Sequence, residues 1–192
     1  VAQETPRNLF GFKDGTNNIK SEDGDAKLNE HLWVQKGDDS GADWMAGGTY
    51  FVVRKIHMFA EMWDNLRLIE QEQTFGRDKR YGAPLNVTAP TSGKDEFKPI
   101  DFKANNKEGE LEVPADSHIA IVNPEQNKGR WMLRRGYNYT EGSDALGRLS
   151  AGLFFIAFVR DPRTNFYPIL DKMTQKDALS EYLQHQARAL FA

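Results

Sequence analysis

The sequence of 192 residues contains no cysteine. That removes disulfides, thiolate nucleophiles and cysteine-based metal sites together. It also lacks any apolar run near the roughly 20 residues that a membrane-spanning helix needs. The longest run, GLFFIAFV, is strand-sized. Positive charge is not in excess: 25 Lys and Arg face 28 Asp and Glu, for a net charge of -3. Nothing in that balance provides for neutralising phosphates, so nucleic acid is not expected as a partner. Signatures of common chemistry are missing as well. There is no G-x-G-x-x-G, no Walker loop and no H-E-x-x-H, and RLSAG lacks the G-x-S-x-G pattern around Ser150. Only four histidines occur, and no close pair of them builds a zinc-type centre.

The chain starts at Val1 with neither Met nor a signal-like segment. The expectation is a processed product or a fragment, with any targeting sequence upstream. One domain, or at most two small ones, suits the length.

Residues 1–48 read as irregular, with acidic, Gly-bearing loop text. TYFVVRKIHMF (49–59) is rich in β-branched and aromatic residues and predicts a strand. A helix follows, with Met62, Leu66, Ile69 and Gln73 on one face and Gly76 as its end. Three prolines and little periodicity make Tyr81–Asn106 a long loop, and a loop of that size is more often functional than idle. SHIAIV predicts a short strand starting at Ser117, WMLRRGYNY a second extended piece, and Gly152–Val159 a buried strand. The C-terminal segment from Phe166 predicts one or two helices. The order implies an α+β domain of the ferredoxin-like kind, an antiparallel sheet with helices on one face.

Three features bear on chemistry. The first is NLFGFKDGTNNI (8–19), where Asp14 sits on a Gly-flanked turn beside two phenylalanines. It is either a plain surface turn or a bent backbone that presents a carboxylate. The second is the Arg134–Arg135 pair in an apolar stretch. In an extended chain the two point to opposite sides, so one faces inward and needs an anion. An internal salt bridge would satisfy it equally. The third is His118, which precedes NPEQNKGRWMLRRGY. On residues alone a structural role remains its default, as it does for His31, His57 and His185.

GFKDG (11–15) resembles the G-F-x-D-G signature of the dye-decolourising (DyP-type) haem peroxidases. TYFVVRKIHMFAEMWDNLRLIEQEQTFGRDKRYGAPL, SHIAIVNP, LRRGYNY and GLFFIAFVRDP resemble that family in the same order. The likeness covers nearly the whole chain. It is strongest to the exported deferrochelatase/peroxidase branch of bacterial iron uptake, and it lies in the family's C-terminal, haem-binding half.

The resemblance implies a ferredoxin-like domain over 1–192, with residues 1–48 an irregular haem-contacting segment and the N-terminal half absent from this chain. It implies haem b as cofactor, with His118 as proximal iron ligand and a late carboxylate, Asp171 or Asp177, steadying it. Asp14 would be the distal acid–base residue and Arg134 the distal arginine. Gly15, Thr16, Asn17, Asn123, Pro124 and Glu125 would line the haem, and Arg77 would meet a propionate. Hydrogen peroxide and a reducing substrate would be the small partners. An iron-uptake permease, a homodimer and an exported location complete the expectation. Two other readings stand beside the peroxidase: a haem-handling protein that releases or delivers iron, and a non-catalytic ferredoxin-like module without haem.

Overall fold

The computed structural model describes residues 5–39, 41 and 43–192. Helix α1 (Asp25–His31) precedes strand β1 (Tyr50–Met58), helix α2 (Ala60–Asp64) and helix α3 (Leu68–Phe75). After the long loop come helix α4 (His118–Val122) and strands β2 (Leu133–Arg134), β3 (Tyr137–Ser143) and β4 (Leu149–Val159). Helices α5 (Pro162–Asn165) and α6 (Tyr167–Lys176) and strand β5 (Leu183–Phe191) finish the chain.

The five strands form one antiparallel sheet in the order β2-β4-β1-β5, with β3 continuing the β2 edge of β4. Ile56, Met58, Leu153 and Phe155 face the helices. On the other face Phe51 stacks on Phe158 at 5.0 Å and on Phe191 at 5.8 Å. The expected α+β sheet with helices is therefore present.

Four local expectations change. The stretch 1–48 contains α1, which is short, polar and buries only His31, so it carries no apolar period to read. Residues 1–4, 40 and 42 of that stretch lie outside the described residues. The single helix over 60–76 is two. The Glu70 carboxylate accepts from the Arg67 N–H at 2.9 Å and starts α3 afresh, which changes its phase. Trp63, Gln71 and Phe75 are buried instead, and Met62 and Ile69 are half exposed.

SHIAIV is helical rather than a strand. Ser117 turns on Pro114 through its N–H (3.0 Å) and its hydroxyl (2.6 Å), and Ile121 N–H donates to Ser117 C=O at 3.1 Å. Four apolar residues hold no period that separates the two states. The second C-terminal helix is strand β5. Asp177 ends α6, caps the 3-10 turn Ala178–Tyr182, and lets Leu183–Phe191 pair with β1. Backbone pairing at the sheet edge overrides the helix propensity of Gln, Ala, Arg and Leu. His185 therefore sits on a strand.

The apolar core falls into two clusters. One gathers Phe10, Phe12, Met58, Trp63, Phe75 and Leu179. The other gathers Val52, Ala157, Val159 and Phe166. Between the sheet and the helices lies a large cavity that both clusters border.

Candidate functional site

The Asp14 turn is built from its phenylalanines. Phe10 stacks on Trp63 with centroids 4.4 Å apart, and Phe12 stacks on Phe75 at 4.0 Å. The Trp63 indole N–H donates to Phe10 C=O at 3.2 Å. A bridge between Arg7 and Lys13 closes the turn, and Asp14 N–H donates to Pro6 C=O at 2.7 Å. Gly11 and Gly15 adopt φ of 84° and 86°, and Asn17 reaches 57°, values that favour glycine and tolerate asparagine. The backbone bend is thus real, and its apolar side chains pin it inside the protein.

The long loop holds the turn from behind. Glu96 is buried and takes three donors: Thr5 hydroxyl at 2.9 Å, Lys13 Nζ at 3.0 Å and Thr16 hydroxyl at 2.9 Å. Arg77 is buried too, and its Nη1 donates to Gly82 C=O (2.7 Å) and Glu96 C=O (3.0 Å). Burial pushes the Arg77 guanidinium down to about 10. Glu96 opposes that shift and Arg134 adds to it.

Arg134 reaches the cavity from β2 while Arg135 is exposed, the opposite-sides geometry of an extended pair. Its Nη2 donates to Thr16 C=O at 3.0 Å, and its backbone exchanges bonds with the Asn18 amide at 3.0 and 2.8 Å. Burial lowers the Arg134 guanidinium from its ordinary value, and the Asp14 charge partly offsets that. Asp14 also depends on Gly136. A Cβ built there would lie 3.0 Å from Asp14 Oδ2 and 3.0 Å from Leu153 Cδ1, so the missing side chain makes room for the carboxylate.

His118 opens α4 on the helical wall. Its Nδ1 lies 2.7 Å from Asp177 Oδ2, and the Asp177 side chain is only 1% exposed. The other Asp177 oxygen accepts from Leu179 N–H at 2.9 Å, which fixes the carboxylate. Asp177 rather than Asp171 is the carboxylate at His118, and Asp171 is exposed. A histidine whose Nδ1–H points at a carboxylate keeps Nε2 free to bind a ligand. Phe75 packs edge-on to the imidazole at 6.0 Å, linking His118 to the cluster that anchors Asp14. Gly76 allows this approach, because a Cβ there would meet Ile119 Cγ1 at 2.6 Å.

The site opens on a cavity of about 1400 Å³ of empty space, open solvent at its mouth included. Asp14, Gly15, Thr16, Asn17, Arg77, His118, Asn123, Pro124 and Arg134 line it. Glu125 does not, and lines an adjoining hollow that also touches Asn17, Arg77, Asn123 and Trp131. Asn123 caps the Pro124–Asn127 turn by accepting from Glu125 N–H at 2.9 Å. The sequence reading missed Asn18, Arg54, Glu96, Arg130, Gly136, Leu153 and Phe155. For Gly136 a signal existed, since a glycine within an extended stretch marks a close approach.

A family model described as Dyp-type peroxidase, C-terminal, matches residues 5–192. A dye-decolorizing peroxidase of Thermobifida fusca is 37% identical over 189 residues, 98% of this chain and 42% of that protein. A deferrochelatase of Escherichia coli is 38% identical over 184 residues, 95% of this chain and 41% of its own. Among solved structures, a DyP-type peroxidase of Streptomyces coelicolor matches with a TM-score of 0.90 and 38% identity, covering 100% of this chain and 50% of that one. One from Cellulomonas bogoriensis gives 0.83 and 31%, covering 96% and 47%. The chain spans about half the length of these relatives or less. It belongs to the DyP-type peroxidase family, matching the part that the family model describes as C-terminal.

Proposed function

We propose that this chain is the haem-binding half of a peroxidase that reduces hydrogen peroxide and oxidises dyes, phenolics or other reductants. One observation carries the reading: His118, backed by Asp177, lines the same cavity as Asp14 on its turn and Arg134 on β2. The lining suits a flat, largely apolar macrocycle with a central metal. Ile119, Val122, Ile169, Leu170 and Met173 face it from the helices, and Ile56, Leu153 and Phe155 from the sheet. One imidazole nitrogen is available to the metal, and Arg77 offers a cation to a propionate.

Haem iron, when bound, supplies the redox chemistry. The chain's residues supply the rest. Asp177 holds the His118 ring and its tautomer, so that Nε2 presents a lone pair. Asp14 accepts a proton from hydrogen peroxide and returns one to the departing oxygen. Arg134 stabilises the negative charge that develops there, from a site shielded from water. Gly15, Thr16, Asn17, Asn123 and Pro124 form the walls that orient the group.

The domain assignment follows the same reading, with an N-terminal half outside this chain. Relatives about twice as long support it, and the outer sheet face that carries the Phe51–Phe158–Phe191 row suits a second half packing there. No helix among the described residues is long and apolar enough to cross a membrane. Export, a homodimer and an iron-uptake permease as partner extend the proposal. The deferrochelatase relative supports a second reading, iron release from haem.

Purified protein reconstituted with haem separates the readings. Peroxide-dependent dye turnover that is lost in Asp14→Asn and in Arg134→Leu supports the peroxidase. Release of free protoporphyrin without turnover favours the second reading. Absence of any Soret band on reconstitution rejects both.

A further inference from the structure

Arg54 lies on the helix-facing side of β1 with Ile56 and Met58, and it lines the cavity. Its Nε is buried and has no hydrogen-bond partner among the described residues. Lys13 pairs with Glu96, Arg77 donates to two carbonyls with the Glu96 charge nearby, and Arg134 donates to Thr16 C=O with the Asp14 charge nearby. For Arg54 the neighbouring charge is another cation, Arg188.

Strand register explains the crowding. Arg54 is the cross-strand partner of Arg188, and Ile56 is the partner of His185. Leu183, two residues before His185, lines the cavity. Three basic side chains therefore share one face at the β5 end, with His185 and Arg188 exposed at the edge. Like charges directly opposite on a sheet are unfavourable, and a buried cation without a counter-charge is more so. Burial and the two arginines also lower the His185 pKa, so near neutral pH its imidazole acts as an uncharged donor. Such an arrangement is stabilised by an anion.

The neighbours indicate which anion. Ile56, Met58 and Leu183 form an apolar wall next to the Arg54 guanidinium. We propose that the β5 end of the cavity binds an organic carboxylate, with Arg54 pairing the carboxylate and the apolar body lying on Ile56, Met58 and Leu183. Arg188 and His185 add N–H donors from the exposed edge. A guanidinium fork matches a carboxylate with two parallel bonds. Inorganic phosphate would meet the fork but gain nothing from the apolar wall. The roles proposed for His118, Asp14 and Arg134 use none of these three basic residues.

The test is thermal unfolding of the purified protein with benzoate, benzamide or inorganic phosphate at equal ionic strength. Benzoate should raise the Tm saturably by about 2–4 °C, the scale of a modest ligand effect for a domain of this size. Benzamide, of the same shape without the charge, and phosphate should not. Arg54→Gln should abolish the benzoate response and unfold no earlier than the parent, since it removes an unmatched cation. If that variant does not fold, Arg188→Gln at its exposed position should weaken the apparent benzoate affinity several-fold. The proposal is overturned if benzamide works as well as benzoate, if nothing moves the Tm, or if Arg188→Gln responds as the parent does. Haem titration of the same samples is read separately. Loss of haem binding with the benzoate response intact would sink the haem reading and leave this one.

Discussion

Replacing Asp177 by Asn probes the helical wall of the site. The change keeps the shape and removes the charge. Asn is as good a cap as Asp, so the bond from Leu179 N–H survives and the turn after α6 should hold. What is lost is the charge-assisted part of a 2.7 Å contact with His118 Nδ1, buried on the carboxylate side. A hydrogen bond to a charged group contributes about 1.5–3 kcal/mol. Removing a partner of this kind weakens metal affinity roughly 10–100-fold. Haem titration followed by the Soret band should show a loss in that range for Asp177→Asn. The reduction potential should rise, because the ligand becomes less electron-rich. Asp177→Ala should lose about 1 kcal/mol of stability in addition, for the missing cap. Asp171→Asn is the control, since that carboxylate is exposed on α6. Equal effects from Asp171→Asn and Asp177→Asn, or none from Asp177→Asn, would show that the Asp177 charge does not steady His118.

Gly136→Ala should displace the Asp14 carboxylate by a few tenths of an ångström and lower peroxide kcat/KM severalfold, since a shift of about 1 Å costs about 100-fold; haem affinity should barely change, and a fully active variant would count against the contact. Glu96→Gln leaves Lys13 buried without its counter-charge and should cost about 3–5 kcal/mol in urea unfolding; a cost near zero would show that the loop does not brace the Asp14 turn. Acid should weaken the fold through His31, whose pKa burial lowers below the ordinary imidazole value of 6.5. The unfolded chain then takes up the proton first, so stability is complete above about 6.5 and falls as pH drops toward the folded value. His31→Gln should give a shallower acid limb in pH-dependent unfolding, and an unchanged limb would place the titration elsewhere.

The sheet was legible because β1 and β4 carry β-branched and aromatic runs of strand length. Three elements were not, each for a physical reason. Helix α4 is too short for its apolar residues to show a period. Strand β5 is spelled in helix-forming residues and exists through its hydrogen bonds to β1. Helix α3 takes its phase from Glu70 bonding back to the Arg67 N–H. The candidate site was legible through resemblance more than through residue physics. Asp14 alone reads as a surface turn, and only the packing of Phe10 and Phe12 on Trp63 and Phe75 shows that the turn is anchored inside. Choosing Asp177 over Asp171 required knowing where α6 stops. Glu96 gave no signal, because its three donors, Thr5, Lys13 and Thr16, lie 80 to 91 residues away in the chain. Arg54 was masked by a strand that reads as ordinary alternation.

In the proposed site, His118 offers one nitrogen to a metal from the helical wall of this cavity. Haem titration of the parent and of His118→Ala, read by absorption spectroscopy, tests it most directly. The parent should give a saturable Soret band with an imidazole-ligated spectrum. His118→Ala should give a shifted spectrum and weaker retention, both partly recovered by added imidazole. An identical spectrum and identical affinity in the two proteins would contradict it.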